Sequence, residues 1–144
     1  SATIPLILQY RTHARERSLY NTPCTFGIYM MGKVFKWVMA NGGLAGMQQR
    51  NEEKAALLYD CLDASAFYQT VVERGSRSRM NVVFRSPTEE LDGKFIGEAT
   101  KAGLVGLKGH RSAGGMRASI YNACPRASVE ALVQFMAEFE RTNG

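Results

Sequence analysis

The chain has 144 residues, 45% hydrophobic and 22% charged. Those proportions exclude a disordered tail, and the length buries a core without disulfide or metal support. A net charge of +5 points to an anionic partner without distinguishing nucleic acid, a membrane surface or a phosphorylated metabolite.

Residues 1–22 read as a leader or connecting segment and 23–144 as the domain proper. In the leader Arg11, His13, Arg15, Glu16 and Arg17 crowd together with no apolar stripe, so it is expected to be irregular, either a solvated segment or a basic arm for nucleic acid. The start lacks the basic and apolar regions of a signal peptide. Thr22-Pro23 reads as an N-cap followed by proline at the first helical position, and Asn41-Gly42-Gly43 ends that helix. Its apolar run, Phe26 to Ala40, is interrupted by Lys33 and Lys36 and falls short of the roughly 20 residues a bilayer span needs. It reads as a buried helix.

A second helix, about Leu44 to Ala64, places Leu44, Met47, Ala55, Leu58 and Leu62 on one side and the charges from Arg50 to Lys54 opposite. Phe67 to Val72 and Met80 to Phe84 read as strands around the polar turn Arg74 to Ser78. Ser86-Pro87-Thr88-Glu89 has the form of a capping box, and Leu91, Phe95 and Ala99 carry a helical stripe toward Gly103. Leu104 to Leu107 and Ala118 to Tyr121 read as two more strands. Val129, Leu132, Val133, Met136 and Phe139 close the chain as an amphipathic helix. The order predicts a two-layer α+β fold, a small mixed or antiparallel sheet with helices packed on one face.

Between the last two strands, Lys108-Gly109-His110-Arg111-Ser112-Ala113-Gly114-Gly115-Met116-Arg117 combines cations with three glycines. Glycines let backbone amides approach a ligand, and guanidinium forks grip phosphate or carboxylate at two points. An anion site and a solvated basic turn both fit this composition. Cys24, Cys61 and Cys124 are too scattered for zinc and read as reduced cytosolic thiols. There is no defensible Ser/His/Asp set, Walker loop or CxxC pair, which disfavours hydrolytic and metal catalysis.

The run Gly109 to Ala123, GHRSAGGMRASIYNA, resembles the C-terminal signature of the phosphoserine aminotransferase family, class V, fold type I pyridoxal-phosphate enzymes. Tyr20-Asn21-Thr22-Pro23, Val34-Phe35-Lys36-Trp37 with Asn41-Gly42-Gly43, Arg77-Ser78-Arg79-Met80-Asn81-Val82 and Phe135 to Arg141 are similar to the same family in the same order. The resemblance implies the C-terminal small domain of such a transferase, without its large cofactor domain. It implies Arg117 on the substrate α-carboxylate and His110 with Arg111 on a phosphate or distal carboxylate. It further implies Asn21 and Thr22 reaching across a homodimer interface to the phosphate of pyridoxal phosphate in the partner subunit.

The implied reaction moves an amino group from glutamate to 3-phosphohydroxypyruvate in serine biosynthesis, with a phosphorylated hydroxythreonine precursor of pyridoxine as a further substrate class in bacteria. A cytoplasmic enzyme that engages neither nucleic acid nor membrane is expected. The lysine that holds the cofactor is missing from its expected Gln-Lys, Gly-Pro-rich context, so no catalytic residue is assigned and the chain alone is expected to be inactive. The rival readings are a free-standing RNA or polyanion-binding module, against which the aromatics fall mostly at core spacing, and a regulatory paralogue lacking the lysine.

Overall fold

The computed structural model describes residues 4–144. The chain divides between Asn41 and Gly42 into two compact units, so the apolar helix that the sequence joins to the domain proper clusters with the leader.

In the first unit a 3-10 turn, Leu6–Leu8, precedes helix α1, Tyr10–Arg15, and helix α2, Thr25–Ala40. The expected irregular leader thus holds a short helix, while residues 1–3 lie outside the described range. A His13 ring nitrogen meets the Ile7 carbonyl at 2.7 Å and the Gln9 amide donates to the Ile4 carbonyl at 2.6 Å, ties that fold this segment back on itself. Helix α2 corrects two expectations. Its N-cap is Cys24, with no side-chain cap, so Thr22 does not cap it and lies in the non-helical approach. None of its residues is buried, because this unit offers too little apolar surface to cover sixteen residues that are apolar around much of the helix. Phe26, Tyr29, Phe35 and Trp37 are exposed, so these rings are not core.

In the second unit helix α3, Gly43–Ala64, buries Met47, Ala55, Leu58 and Leu62 as its stripe predicts. Leu44, on the first turn, is 85% exposed. Lys54, expected on the charged side, is buried. Its ammonium donates to the carbonyls of Ile120, Tyr121 and Cys124 at 3.0, 2.7 and 3.1 Å, which is how a buried cation becomes tolerable. Beside it Asn51 donates to the Asn122 side chain at 2.7 Å.

Strands β1, Gln69–Thr70, β2, Asn81–Arg85, and β3, Met116–Ser119, form one antiparallel sheet in that order. In β2 and β3, Val82 pairs with Ala118 and Phe84 with Met116, and all four side chains are buried. With a side-chain period of two, Asn81, Val83, Arg85, Arg117 and Ser119 occupy the opposite face. The first strand is shorter than its β-branched run suggested. Leu104 to Leu107 is no strand, because Gly103 and Gly106 take φ of +87° and +79°, and only Lys108 bridges to Met116.

Helix α4, Glu89–Lys101, is capped by Thr88, whose hydroxyl accepts from the Leu91 amide at 3.3 Å. Ser86 is therefore not the cap. It donates its hydroxyl to the Asp92 carboxylate at 2.5 Å, and its amide bonds the same oxygen at 2.8 Å. Helix α5, Arg126–Asn143, buries Val129, Leu132, Met136 and Phe139. The core lies between the helices and one sheet face. At its centre Phe95, fully buried, meets Phe84, Tyr68 and Phe139 edge-on with centroids 5.8, 6.0 and 5.0 Å apart, the arrangement aromatic quadrupoles prefer. The Tyr68 hydroxyl donates to the Met136 carbonyl at 2.9 Å, and burial pushes its ionisation upward.

Candidate functional site

The face of the sheet away from the core carries the charge. Arg117 stands opposite Val83 in the β2–β3 ladder, and its amide donates to the Leu107 carbonyl at 2.8 Å. Its side chain is half-buried, and its Nε is buried with no hydrogen-bond partner. A guanidinium N–H withheld from water and unpaired costs free energy until an acceptor arrives.

The glycine-rich loop closes on itself above this strand. The Gly109 amide donates to the Gly115 carbonyl at 2.9 Å, and the Ala113 and Gly114 amides donate to the His110 carbonyl at 2.9 and 2.8 Å. Two glycines are required here. A Cβ on Gly109 would lie 2.0 Å from the Gly114 oxygen, and Gly115 has φ of +64° with a Cβ position 2.7 Å from the Phe84 carbonyl oxygen. Within the loop the Ser112 amide donates to His110 Nδ1 at 3.3 Å, and the Ser112 hydroxyl lies 2.7 Å from the same nitrogen. With Nδ1 accepting, a neutral His110 ring carries its proton on Nε2, available to a ligand oxygen. Arg111 is exposed at the start of the turn.

Charge pairing separates the arginines of this region from most arginines elsewhere in the second unit. Arg74 and Arg77 hold Asp63, Arg79 holds Glu52, Arg126 holds Glu130 and Arg141 holds Glu138. Among the described residues no carboxylate pairs with Arg85, Arg111 or Arg117. The guanidiniums of Arg111 and Arg117 and the His110 imidazole, on one loop and the strand that follows it, offer donors for a small anion with two charged ends. No group of three or more His, Cys, Asp or Glu among the described residues could hold a metal, and the three cysteines are free.

His110 and Arg111 lie in the glycine-rich turn and Arg117 in β3, the strand that follows it. Asn21 and Thr22 lie in the first unit, exposed and outside any helix. Arg85 was not singled out from the sequence. Its Nη2 donates to the Ala113 carbonyl, tying β2 to the glycine loop. Its signal was present in the strand alternation: with Val82 and Phe84 pointing into the core, residue 85 shares a face with 81 and 83.

The family model for class-V aminotransferases matches residues 3–132. The chain is 54% identical over 142 residues to the phosphoserine aminotransferase of Niallia circulans, covering 98% of this chain and 39% of that protein. It is 57% identical over 141 residues to that of Laribacter hongkongensis, covering 97% and 39%. Among solved structures, phosphoserine aminotransferase from Bacillus circulans subsp. alkalophilus superposes with a TM-score of 0.91 at 52% identity, over 100% of this chain and 40% of that one. One from Trichomonas vaginalis, solved with PLP bound, gives 0.84 at 40% identity, over 95% and 39%. The chain therefore spans about two-fifths of the length of these relatives, and its α+β architecture is that of a piece of their fold. With a family match running through most of its length, the chain belongs to the class-V aminotransferases.

Proposed function

We propose that the chain is the C-terminal portion of a phosphoserine aminotransferase, which converts glutamate and 3-phosphohydroxypyruvate into 2-oxoglutarate and O-phosphoserine. The observation that carries this reading is the set of guanidiniums left without carboxylates, Arg111 and Arg117 with the buried, unpartnered Nε of Arg117, beside His110. A substrate with a carboxylate at one end and a phosphate at the other matches two such anchors. Arg117 takes the α-carboxylate. His110 and Arg111 take the phosphate, or the distal carboxylate when glutamate is bound.

Pyridoxal phosphate fits what the first unit offers. Asn21 and Thr22 present an amide and a hydroxyl with no internal hydrogen bond among the described residues, free to hold the cofactor's phosphate across a homodimer interface. When bound, that cofactor supplies the electron sink that amino-group transfer needs. The lysine that carries it is assigned to polypeptide outside these 144 residues. Lys54 is occupied by three carbonyls, Lys33 lies 5.1 Å from the Tyr29 ring centroid, and Lys94 holds Asn143 and Glu98. This chain alone then neither binds the cofactor nor transaminates.

The complete enzyme acts in serine biosynthesis in the cytoplasm, with pyridoxine biosynthesis as its second role in bacteria. No described helix is long and apolar enough to cross a membrane. The deciding experiment supplies the complete protein with glutamate, pyridoxal phosphate and 3-phosphohydroxypyruvate. O-phosphoserine is the expected product, with the unphosphorylated keto acid a far poorer acceptor; equal rates with both acceptors would defeat the phosphate assignment.

A further inference from the structure

Arg85 is the last residue of β2, the central strand, and its backbone is fixed by pairing with Gln69 of β1. From that rigid base the side chain crosses to the glycine loop. Nη2 donates to the Ala113 carbonyl, and the stem lies against the loop where Gly115 leaves room: a Cβ on Gly115 would stand 2.8 Å from Arg85 Cγ, and one on Gly114 would stand 3.6 Å from Nη2. No described carboxylate competes for the guanidinium. Ala113 belongs to the turn whose amides return to the His110 carbonyl, so a bond to Ala113 restrains the whole His110–Gly114 turn.

We propose that Arg85 is a positioning residue for the phosphate end of the site. Its guanidinium clamps the turn that carries His110 and Arg111 and so sets where their donors meet a phosphoryl group. A flexible loop with three glycines loses much freedom on closing round a ligand. Holding it closed beforehand moves that loss from the binding step to folding. The inference rests on the phosphate role given above to His110 and Arg111. It adds a residue that touches the loop, not the substrate, and a discrimination that depends on it.

The test uses the complete enzyme as Arg85→Ala, Arg85→Lys and Arg111→Ala, with KM and kcat measured for 3-phosphohydroxypyruvate and for the same keto acid without phosphate. Arg85→Ala should raise KM for the phosphorylated acceptor about tenfold, equivalent to ~1.4 kcal/mol, while kcat and the KM of the unphosphorylated acceptor stay within about twofold. Arg85→Lys, which keeps a long cationic donor, should recover most of the loss and serves if the alanine variant does not fold. An equal loss on both acceptors, or no recovery with lysine, would mean that Arg85 is merely structural and overturns the inference. If Arg111→Ala weakens phosphate discrimination while Arg85→Ala and Arg85→Lys do not, the clamp alone is wrong. If Arg111→Ala changes nothing, the phosphate role of the loop falls, and the clamp with it.

Discussion

The Lys54 ammonium and the Tyr121 carbonyl meet at 2.7 Å although 67 positions separate them in the chain. The same ammonium holds Ile120 and Cys124, so helix α3 fixes the path of the chain directly after the strand that carries Arg117. Burial pushes the Lys54 ionisation down from its ordinary value, yet three carbonyls converge on its protons. Lys54→Met keeps the stem and removes the donors. It should destabilise the fold by about 2–3 kcal/mol through stranded carbonyls, measured as a lower urea midpoint with an unchanged denaturant slope.

Phe95 touches aromatic rings from β2, α5 and the segment before β1, with Phe135 a further neighbour at 5.1 Å. Phe95→Ala leaves a cavity bounded by stiff rings that cannot collapse into it. A loss of about 3–5 kcal/mol is expected, readable in thermal or chemical unfolding of the chain. A loss below about 1 kcal/mol would show that the rings repack.

Asp63 accepts two parallel bonds from Arg77, at 2.8 and 2.6 Å, and Arg74 lies 3.0 Å away. The hydrogen bonds from Arg77, aided by the nearby Arg74 charge, hold its carboxyl below the ordinary 3.8. Because the folded value is the lower one, the stabilisation is fully present above 3.8 and lost as pH falls through the folded value. Asp63→Asn should therefore be less stable than the parent at neutral pH, and the two unfolding curves should converge in acid. A gap that stays constant across the acid range would assign the effect to packing.

In the complete enzyme Arg117→Ala should weaken every amino and keto acid substrate, phosphorylated or not, since the α-carboxylate is common to all. Losing a charged two-point contact in a partly buried site costs about 2–5 kcal/mol. Isothermal titration with O-phosphoserine and with glutamate gives the comparison. Unchanged affinity for both ligands would remove the carboxylate role.

The 144-residue chain mixed with pyridoxal phosphate and then reduced with borohydride should show only scattered, substoichiometric lysine labelling by peptide mass mapping. One lysine labelled to completion would place the cofactor's attachment point within the chain.

The helices that build the core were legible because their stripes are long: Met47, Ala55, Leu58 and Leu62 in α3, and Val129 to Phe139 in α5. The charge of the proposed site was equally plain in His110, Arg111 and Arg117. What stayed hidden depended on distant partners. Lys54 looks solvated until the carbonyls after β3 reach it. Ser86 looks like a cap until Asp92, inside α4, takes its hydroxyl and leaves capping to Thr88. Leu104 to Leu107 has strand composition, but two positive-φ glycines break its extension. Helix α2 reads as core because it is apolar, and composition does not say whether a neighbour within the same unit covers it.

Because no described carboxylate pairs with Arg111 or Arg117, the folded chain keeps guanidiniums that an outside oxyanion can bind. Its melting temperature is therefore a property of the buffer as well as of the polypeptide. Inorganic phosphate, binding the folded form and not the unfolded one, raises it by mass action, whereas a buffer of equal ionic strength without an oxyanion does not.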